Sequence, residues 1–245
     1  MRIAIVGAGG VGGYYGGLLA HAGYDVTFIA RGEHLRAIRS NGLKVHSVHG
    51  DFEIRPTRAT DDPAEIGPVD LTIFTVKTYD TDSAAVLMRP LVGKNTTVLP
   101  LQNGVESAAQ LSRHFGKEAV LGGLTQVVAY VAEPGVIRQE SPFRRIVFGE
   151  LDGRETPRMK TILEALVRSG AEAEATDNID KALWTKLLFI ASFSGITSVT
   201  RAPAGPVMAS AEARSLLNQA MREVEAVARA KGISLDEDVV GKTMA

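Results

Sequence analysis

The sequence predicts an α/β protein, with a doubly wound parallel sheet first and a smaller all-α domain after it. A run of branched apolar residues at 2–6 leads directly into a glycine-rich turn and an apolar helix. Strand and helix patterns then continue to residue 175, as expected for parallel strands with helical connections. Two long helical patterns, 178–199 and 207–231, dominate the rest, so we predict domains at 1–176 and 177–245.

Composition excludes several function classes. The 245 residues carry a net charge of −1 without a long run of one sign, which argues against a general nucleic-acid or membrane-surface role. The chain has no cysteine, so disulfides, zinc–thiolate sites and a cysteine nucleophile are excluded. The apolar start at 3–20 is interrupted by glycines, Tyr14 and Tyr15, so we interpret it as soluble structure rather than a signal or membrane segment. Cytoplasmic location is the resulting expectation.

The glycine-rich turn has the G-x-G-x-x-G spacing of a dinucleotide-binding loop, between the strand at 2–6 and a helix predicted over 10–22. In this motif Gly7 permits the tight turn, Gly9 admits a pyrophosphate to the backbone, and Gly12 allows close helix packing. The helix start adds unpaired N–H groups for the phosphates. A Rossmann-type domain is therefore predicted, with cofactor contacts at Gly7, Gly9, Gly10, Val11 and Gly12. The alternative is a structural glycine turn that binds no ligand.

The end of the second predicted strand, 25–29, distinguishes NAD from NADP. An acidic residue there would bind the ribose 2′-hydroxyl of NAD, whereas an arginine accommodates the 2′-phosphate of NADP. This chain has Arg31, whose guanidinium suits a phosphate dianion. NADP is therefore the predicted cofactor, the alternative being that Arg31 is a solvated surface residue.

Five stretches give the chain a resemblance to a known family. In chain order they are GAGGVGGYYGGLLAHAGYDVTFIARGEHLRAI, FTVKTYDT, PLQNGVE, EPGVIRQ and NIDKALWTKLLF. Their order and spacing resemble the ketopantoate reductase family, which uses NADPH to reduce 2-dehydropantoate to pantoate, over essentially the whole chain. The resemblance implies cofactor contacts at Lys77 and Asn103, a place for Asn103 in the substrate cleft, and a catalytic role for Lys186.

Lys186 also suits ketone reduction on chemical grounds. Negative charge develops on the carbonyl oxygen, where a positioned donor stabilises the transition state and supplies a proton. Desolvation in a cleft lowers the pKa of a lysine toward the working pH. Lys186 lies mid-helix among apolar residues, and Ser194 and Thr197 share its side, so we predict both as substrate contacts. The alternative is a snorkelling lysine that covers apolar surface.

The remaining polar candidates have weaker signals. Lys77 and Asn103 end predicted strands, where doubly wound sheets bind ligands, but a loop cation and an Asn-Gly turn would look the same. The histidines show no metal-ligand spacing, so no metal is predicted. All five are interpreted as non-catalytic: His21, His34, His46, His49 and His114.

The sequence departs from the family pattern in two places. Family members usually carry asparagine where this chain has Ile190, Ser194 and Ala204, and losing matched hydrogen bonds can cost orders of magnitude in rate. The family also has a later segment, roughly S-S-M-x-x-D with a downstream glutamate, that has no counterpart here. We therefore expect either a truncated chain or a short family member with an incomplete site. In both cases the apolar surface left exposed in the helical domain favours self-association, for example as a homodimer.

Three function classes stay open. The first is an NADP-dependent reductase of a small 2-oxo acid, with 2-dehydropantoate or a less polar compound as substrate. The second is another hydroxyacid dehydrogenase with a Rossmann-type and a helical domain, which the Q-N-G and L-W-x-K-L motifs disfavour. The third is a non-catalytic NADP-binding sensor, which the changed asparagines favour and the retained Lys77, Asn103 and Lys186 disfavour.

Overall fold

The computed structural model describes residues 1–244, and the chain divides into two compact units, Met1–Ile179 and Asp180–Ala245. The first unit contains all the strands found in the described residues, and the second is helical. The predicted class, a doubly wound sheet followed by a helical part, is therefore confirmed.

The first unit combines strands with short helices. In chain order its elements are β1 (Arg2–Val6), α1 (Gly10–His21), β2 (Asp25–Ile29), α2 (Gly32–Asn41), β3 (Leu43–Ser47), β4 (Phe52–Ile54), β5 (Arg58–Thr60), β6 (Leu71–Phe74), α3 (Thr81–Leu87), β7 (Thr97–Pro100), α4 (Ser107–Phe115), β8 (Leu121–Gln126), β9 (Ala129–Glu133), β10 (Val136–Gln139), β11 (Arg145–Glu150), α5 (Pro157–Arg168) and β12 (Glu172–Ala175).

The central sheet is parallel, with strand order β5-β2-β1-β6-β7. All of β1 except Arg2 is buried, as expected for a strand covered on both faces. The chain passes from β1 to β2 on one side and later to β6 on the other, so the strand order reverses between β1 and β6. In open α/β sheets, ligands bind outside the carboxyl ends of the strands at such a switch point.

Two smaller sheets complete the first unit, with strand orders β4-β3-β10-β9 and β12-β11-β8. The strand patterns of the sequence at 119–150 predict β8 to β11, but they do not predict which partners these strands find. The parallel pairing of β3 with β10 brings the second sheet beside α1, where a Cβ on Gly13 would meet the Ile137 side chain at 2.6 Å. Small residues on α1 therefore allow close packing between helix and sheet.

Several predicted boundaries are wrong. The strand predicted to end at Lys77 stops at Phe74, and the Thr75 hydroxyl that follows donates to the Gly7 carbonyl at 2.7 Å. The helix predicted over 207–231 is broken at Ser210, whose hydroxyl accepts a hydrogen bond from the Ala213 N–H and caps a new helix. The short strand β5 was missed because three residues give too little pattern.

Apart from Ile179, which belongs to the first unit, the second unit contains α6 (Ile179–Thr200), α7 (Ala204–Ala209), α8 (Ala211–Ala230) and α9 (Val239–Met244). Asp236 connects its elements by accepting a hydrogen bond from Lys181 of α6 at 2.7 Å and lying 3.6 Å from the Lys242 ammonium of α9. Among the described residues, α6 alone is long and apolar enough to cross a bilayer. One such helix is weak evidence for a membrane protein, because core helices of water-soluble proteins meet the same criteria.

Candidate functional site

A cavity of about 690 Å³ opens at the switch point of the central sheet. It is lined by the turn after β1, the segments that follow β2 and β6, one face of α3, and β9. The charged or titratable residues in its lining are Arg31, His34, Asp61, Lys77, Tyr79 and Asp80. The volume suits an extended small-molecule ligand.

The glycines of the turn have different surroundings. Gly7 has a φ of +96°, in the region that strongly favours glycine. A Cβ on Gly12 would overlap the Gly7 carbonyl oxygen, and one on Gly10 would overlap the Ala129 carbonyl oxygen. A Cβ on Gly9 would meet no protein atom within 4 Å. Packing of the protein against itself thus accounts for Gly10 and Gly12, but it does not account for Gly9.

The turn is held from several sides. The Ile29 carbonyl accepts hydrogen bonds from the N–H groups of Gly7 at 3.2 Å and Ala8 at 3.1 Å. The Thr75 hydroxyl donates to the Gly7 carbonyl, and the His34 imidazole contacts the Ala8 carbonyl at 2.8 Å. The loop backbone is therefore fixed in the protein itself.

The start of α1 offers donors to an anion. The first intrahelical bond runs from the Gly13 N–H to the Gly9 carbonyl, so the N–H groups at 10–12 lie ahead of the helical ladder. Gly9 has no capping side chain, and the first turn contains no acidic residue that would compete for these donors. This arrangement fits a phosphate group.

Arg31 lies in the cavity lining, at the start of α2. Its guanidinium is 3.5 Å from the Asp80 carboxylate, on the turn that follows β6. The Arg31 side chain is 88% exposed and that of Asp80 35%, so the pair is solvent-screened and weak. A stronger anionic partner can therefore displace Asp80 from the guanidinium.

Most of the predicted cofactor residues lie together at this cavity. Gly7, Gly9, Gly10, Val11, Arg31 and Lys77 all line it. Gly12 lies beneath the loop against Gly7 and Thr75 rather than in the lining. Asn103 is exposed in the turn after β7 and also lies outside the lining. The cofactor roles of all these residues stay predictions.

Lys186 lies near the middle of α6 in the second unit. Desolvation by burial lowers its pKa to about 8, from the usual 10.5. The Thr197 hydroxyl donates to the Phe193 carbonyl at 2.9 Å, and the Ser194 hydroxyl donates to the Ile190 carbonyl. Both hydroxyls therefore bond back to their own helix, and each keeps an oxygen that can accept a hydrogen bond.

The sequence did not identify three residues at the cavity. Thr75 and His34 hold the glycine loop through its carbonyl groups, and Asp80 pairs with Arg31. A signal for His34 was present, because it follows Arg31 by three residues at the carboxyl end of β2, beside the predicted loop. No metal-binding cluster of histidine or acidic side chains occurs within residues 1–244.

Comparison with known proteins identifies the family. The model described as "Ketopantoate reductase PanE/ApbA" matches residues 3–153, and "Ketopantoate reductase PanE/ApbA C terminal" matches residues 178–245. An uncharacterized oxidoreductase, YkpB of Bacillus subtilis, is 34% identical over 236 residues, which are 96% of this chain and 77% of YkpB. A 2-dehydropantoate 2-reductase of Halobacterium salinarum is 34% identical over 243 residues, covering 98% of this chain and 79% of that protein.

A solved structure agrees with these sequence matches. The 2-dehydropantoate 2-reductase of Geobacter metallireducens superimposes with a TM-score of 0.94 at 35% identity, covering 100% of this chain and 81% of that one. The resemblance found in the sequence is thereby confirmed, and the likeness extends over both units. The chain therefore belongs to the ketopantoate reductase family of NAD(P)-dependent oxidoreductases.

Proposed function

We propose that the protein reduces a small 2-oxo acid with NADPH, with 2-dehydropantoate as the first substrate to test. The observation that carries this proposal is the cavity at the switch point. Gly9, whose backbone has free space beside it, lines this cavity together with the cationic side chains of Arg31 and Lys77. The 2-dehydropantoate 2-reductases among its relatives, at about a third identity, support the substrate class.

The residues of the cavity fit a dinucleotide. Backbone N–H groups at Gly10, Val11 and Gly12 would bind the pyrophosphate, and the absence of a Cβ at Gly9 admits it. The Arg31 guanidinium would bind a 2′-phosphate. The nicotinamide, when bound, supplies the hydride for the carbonyl carbon.

Lys186 is the proposed proton donor. The reduced carbonyl becomes a hydroxyl, so its oxygen must gain a proton as the hydride arrives at carbon. An ammonium with a pKa near 8 is largely protonated at neutral pH and releases its proton more readily than an ordinary lysine. Asn103, Ser194 and Thr197 are proposed to orient the substrate through hydrogen bonds.

Ile190 favours a second candidate substrate. It lies one helical turn after Lys186, at a position where the family usually carries an amide. A less polar 2-oxo acid would need no hydrogen bond at this position, whereas a substrate hydroxyl would lack a hydrogen-bond partner there. Comparing 2-dehydropantoate with 3,3-dimethyl-2-oxobutanoate, which lacks only the terminal hydroxyl, separates the two.

Consumption of NADPH with this pair of substrates tests the proposed function. We expect turnover with at least one, and the ratio of their kcat/KM values measures how well the site recognises the hydroxyl. Binding of NADPH without consumption, across these and other 2-oxo acids, would contradict the enzyme assignment and support an NADP-binding sensor. The homodimer and the cytoplasmic location stay predictions.

Arg31→Ala tests the choice of cofactor. We expect the Kd for NADPH to rise by about tenfold or more, with little change for NADH, because only NADPH carries the 2′-phosphate. Asp80→Asn is the matched control: it removes the competing carboxylate, so NADPH should bind more tightly while NADH binding stays constant. Calorimetric titration of both nucleotides measures this, and an unchanged NADPH/NADH ratio in Arg31→Ala would refute the NADP assignment.

A further inference from the structure

We propose that His34 is a positioning residue that connects the dinucleotide loop to the turn at Gly135, and that only its neutral imidazole makes both contacts. The inference rests on the proposed cofactor site and adds to it a residue and a pH dependence. His34 is half-buried on α2, and it connects three segments that are distant in sequence: α2 itself, the glycine loop, and the turn between β9 and β10.

The two ring nitrogens of His34 have partners that determine its protonation state. Nδ1 lies 3.0 Å from the Gly135 nitrogen, whose N–H can only donate, so Nδ1 must accept. Nε2 lies 2.8 Å from the Ala8 carbonyl oxygen, which can only accept, so Nε2 must carry the hydrogen. Both bonds form only in the neutral tautomer with hydrogen on Nε2.

These bonds act on the part of the loop that faces the ligand. The Ala8 carbonyl immediately precedes Gly9, and Thr75 holds the preceding carbonyl of Gly7. Two side chains thus fix two consecutive peptide groups next to the open backbone at Gly9. Because pyrophosphate binding depends on the position of this backbone, loosening the Ala8 peptide should weaken dinucleotide binding.

Protonation of His34 would break this arrangement. A hydrogen on Nδ1 would point at the Gly135 N–H, so two donors would face each other. Burial lowers the pKa of His34 below its usual 6.5, and the hydrogen bond to the Ala8 carbonyl opposes this shift without reversing it. The neutral form is therefore present at neutral pH. As the pH falls through the lowered pKa, Nε2 still donates to the Ala8 carbonyl, but Nδ1 can no longer accept from Gly135, so the connection between the loop and the Gly135 turn is lost.

Ionisable groups on the elements near His34 also titrate, so the pH experiment needs a control. Burial, rather than a charged neighbour, is the main cause of its pKa shift. Arg31 and Glu33 lie at the start of the helix that carries His34, and Asp61, Lys77 and Asp80 line the cavity. Glu133 and Arg138 lie on the two strands that flank the Gly135 turn. A 2′-phosphate also titrates near pH 6. Only a comparison between variants that differ at position 34 isolates the imidazole.

NADPH titration at about pH 8 and about pH 5.5 tests the proposal. The Kd for NADPH is compared between the wild type, His34→Gln and His34→Phe. A glutamine amide can donate and accept as the neutral imidazole does, but it does not titrate. At about pH 8 we expect wild type and His34→Gln to bind within about twofold, and His34→Phe about tenfold more weakly. At about pH 5.5 wild type should lose about threefold more affinity than His34→Gln.

Amide exchange of Gly135 in the ligand-free protein gives a second readout. We expect faster exchange in His34→Phe than in wild type or His34→Gln, and a wild-type rate that accelerates toward low pH relative to His34→Gln. Equal exchange in all three proteins, or equal NADPH affinity in wild type and His34→Phe, would overturn the proposal. If no protein binds a dinucleotide, the proposed function fails, whereas the exchange rates still decide whether neutral His34 anchors the turn.

Discussion

Replacing Lys186 with methionine is expected to lower kcat for reduction of the 2-oxo acid by about 10²–10⁴-fold, with NADPH affinity within about twofold of wild type. The change removes the proposed proton donor, while methionine keeps an unbranched apolar side chain at this position. A fall of kcat and kcat/KM together would indicate an interaction made only in the transition state. Stopped-flow and steady-state measurements of NADPH oxidation give both values.

The pH dependence of kcat/KM tests whether Lys186 donates the proton during reduction. In the direction of reduction the ammonium form donates, so kcat/KM should be level below pH about 8 and fall by about tenfold per unit above it. In the direction of alcohol oxidation the neutral amine must accept the proton, so kcat/KM should rise with pH up to about 8. Mirror-image profiles are difficult to explain by a residue that only binds substrate.

Lys186→Arg is the matched control for charge. Its guanidinium stays protonated across the accessible range, so the alkaline fall of the reductive profile should disappear. Because the arginine holds its proton strongly, activity should stay well below wild type. An alkaline limb that survives unchanged in Lys186→Arg, or a Lys186→Met protein with wild-type kcat, would remove Lys186 from the proton transfer.

The predictable part of the fold depends on neighbours in sequence. The strands at 2–6 and 25–29 and the intervening glycine loop are encoded within about thirty residues, and the structure confirms them. The place of Arg31 at the cavity is predictable from the same segment, because Arg31 comes just after β2. The glycine motif, with its strand and helix context, therefore identifies residues that the structure places in one cavity lining, while their cofactor roles stay predictions.

The unpredicted part depends on distant residues. His34 meets Gly135, which is 101 positions away, and Asp80 reaches Arg31 from the far side of the switch point. Neither contact has a local pattern, because each is created by the pairing of β3 with β10 or of β1 with β6. The sequence showed a histidine in a polar stretch, and only the assembled sheets show that its ring is an anchor.

Lys186 illustrates an intermediate case. Its apolar helix predicted desolvation, and the structure agrees through the lowered pKa. Its catalytic role came from the family resemblance, because a lysine on an apolar helix is equally consistent with snorkelling. Helical spacing also placed Ser194 and Thr197 on its side, but it could not predict that both hydroxyls bond back to the helix.

Gly9→Ala is expected to leave the protein folded but to weaken NADPH binding by about tenfold or more. Gly9 has a φ of −74°, outside the positive region that favours glycine, and a Cβ there would meet no protein atom within 4 Å. The added methyl group would project where the pyrophosphate approaches the backbone. The cost in stability should stay within about 1 kcal/mol, the usual range for alanine at a helix N-cap.

Gly12→Ala is the matched control. It adds the same methyl group three residues away, where we expect it to lower the stability of the fold. Its Cβ would overlap the Gly7 carbonyl oxygen and the Thr75 hydroxyl, so the helix must move from the sheet at a cost of about 1–3 kcal/mol. Thermal unfolding should therefore separate the pair, with a Tm lowered by about 2–4 °C per kcal/mol in Gly12→Ala and nearly unchanged in Gly9→Ala. A Gly9→Ala protein that binds NADPH like wild type would mean that the turn is structural and that the cofactor site lies elsewhere. Loss of binding at an unchanged Tm requires a ligand at Gly9, because the protein itself places nothing there.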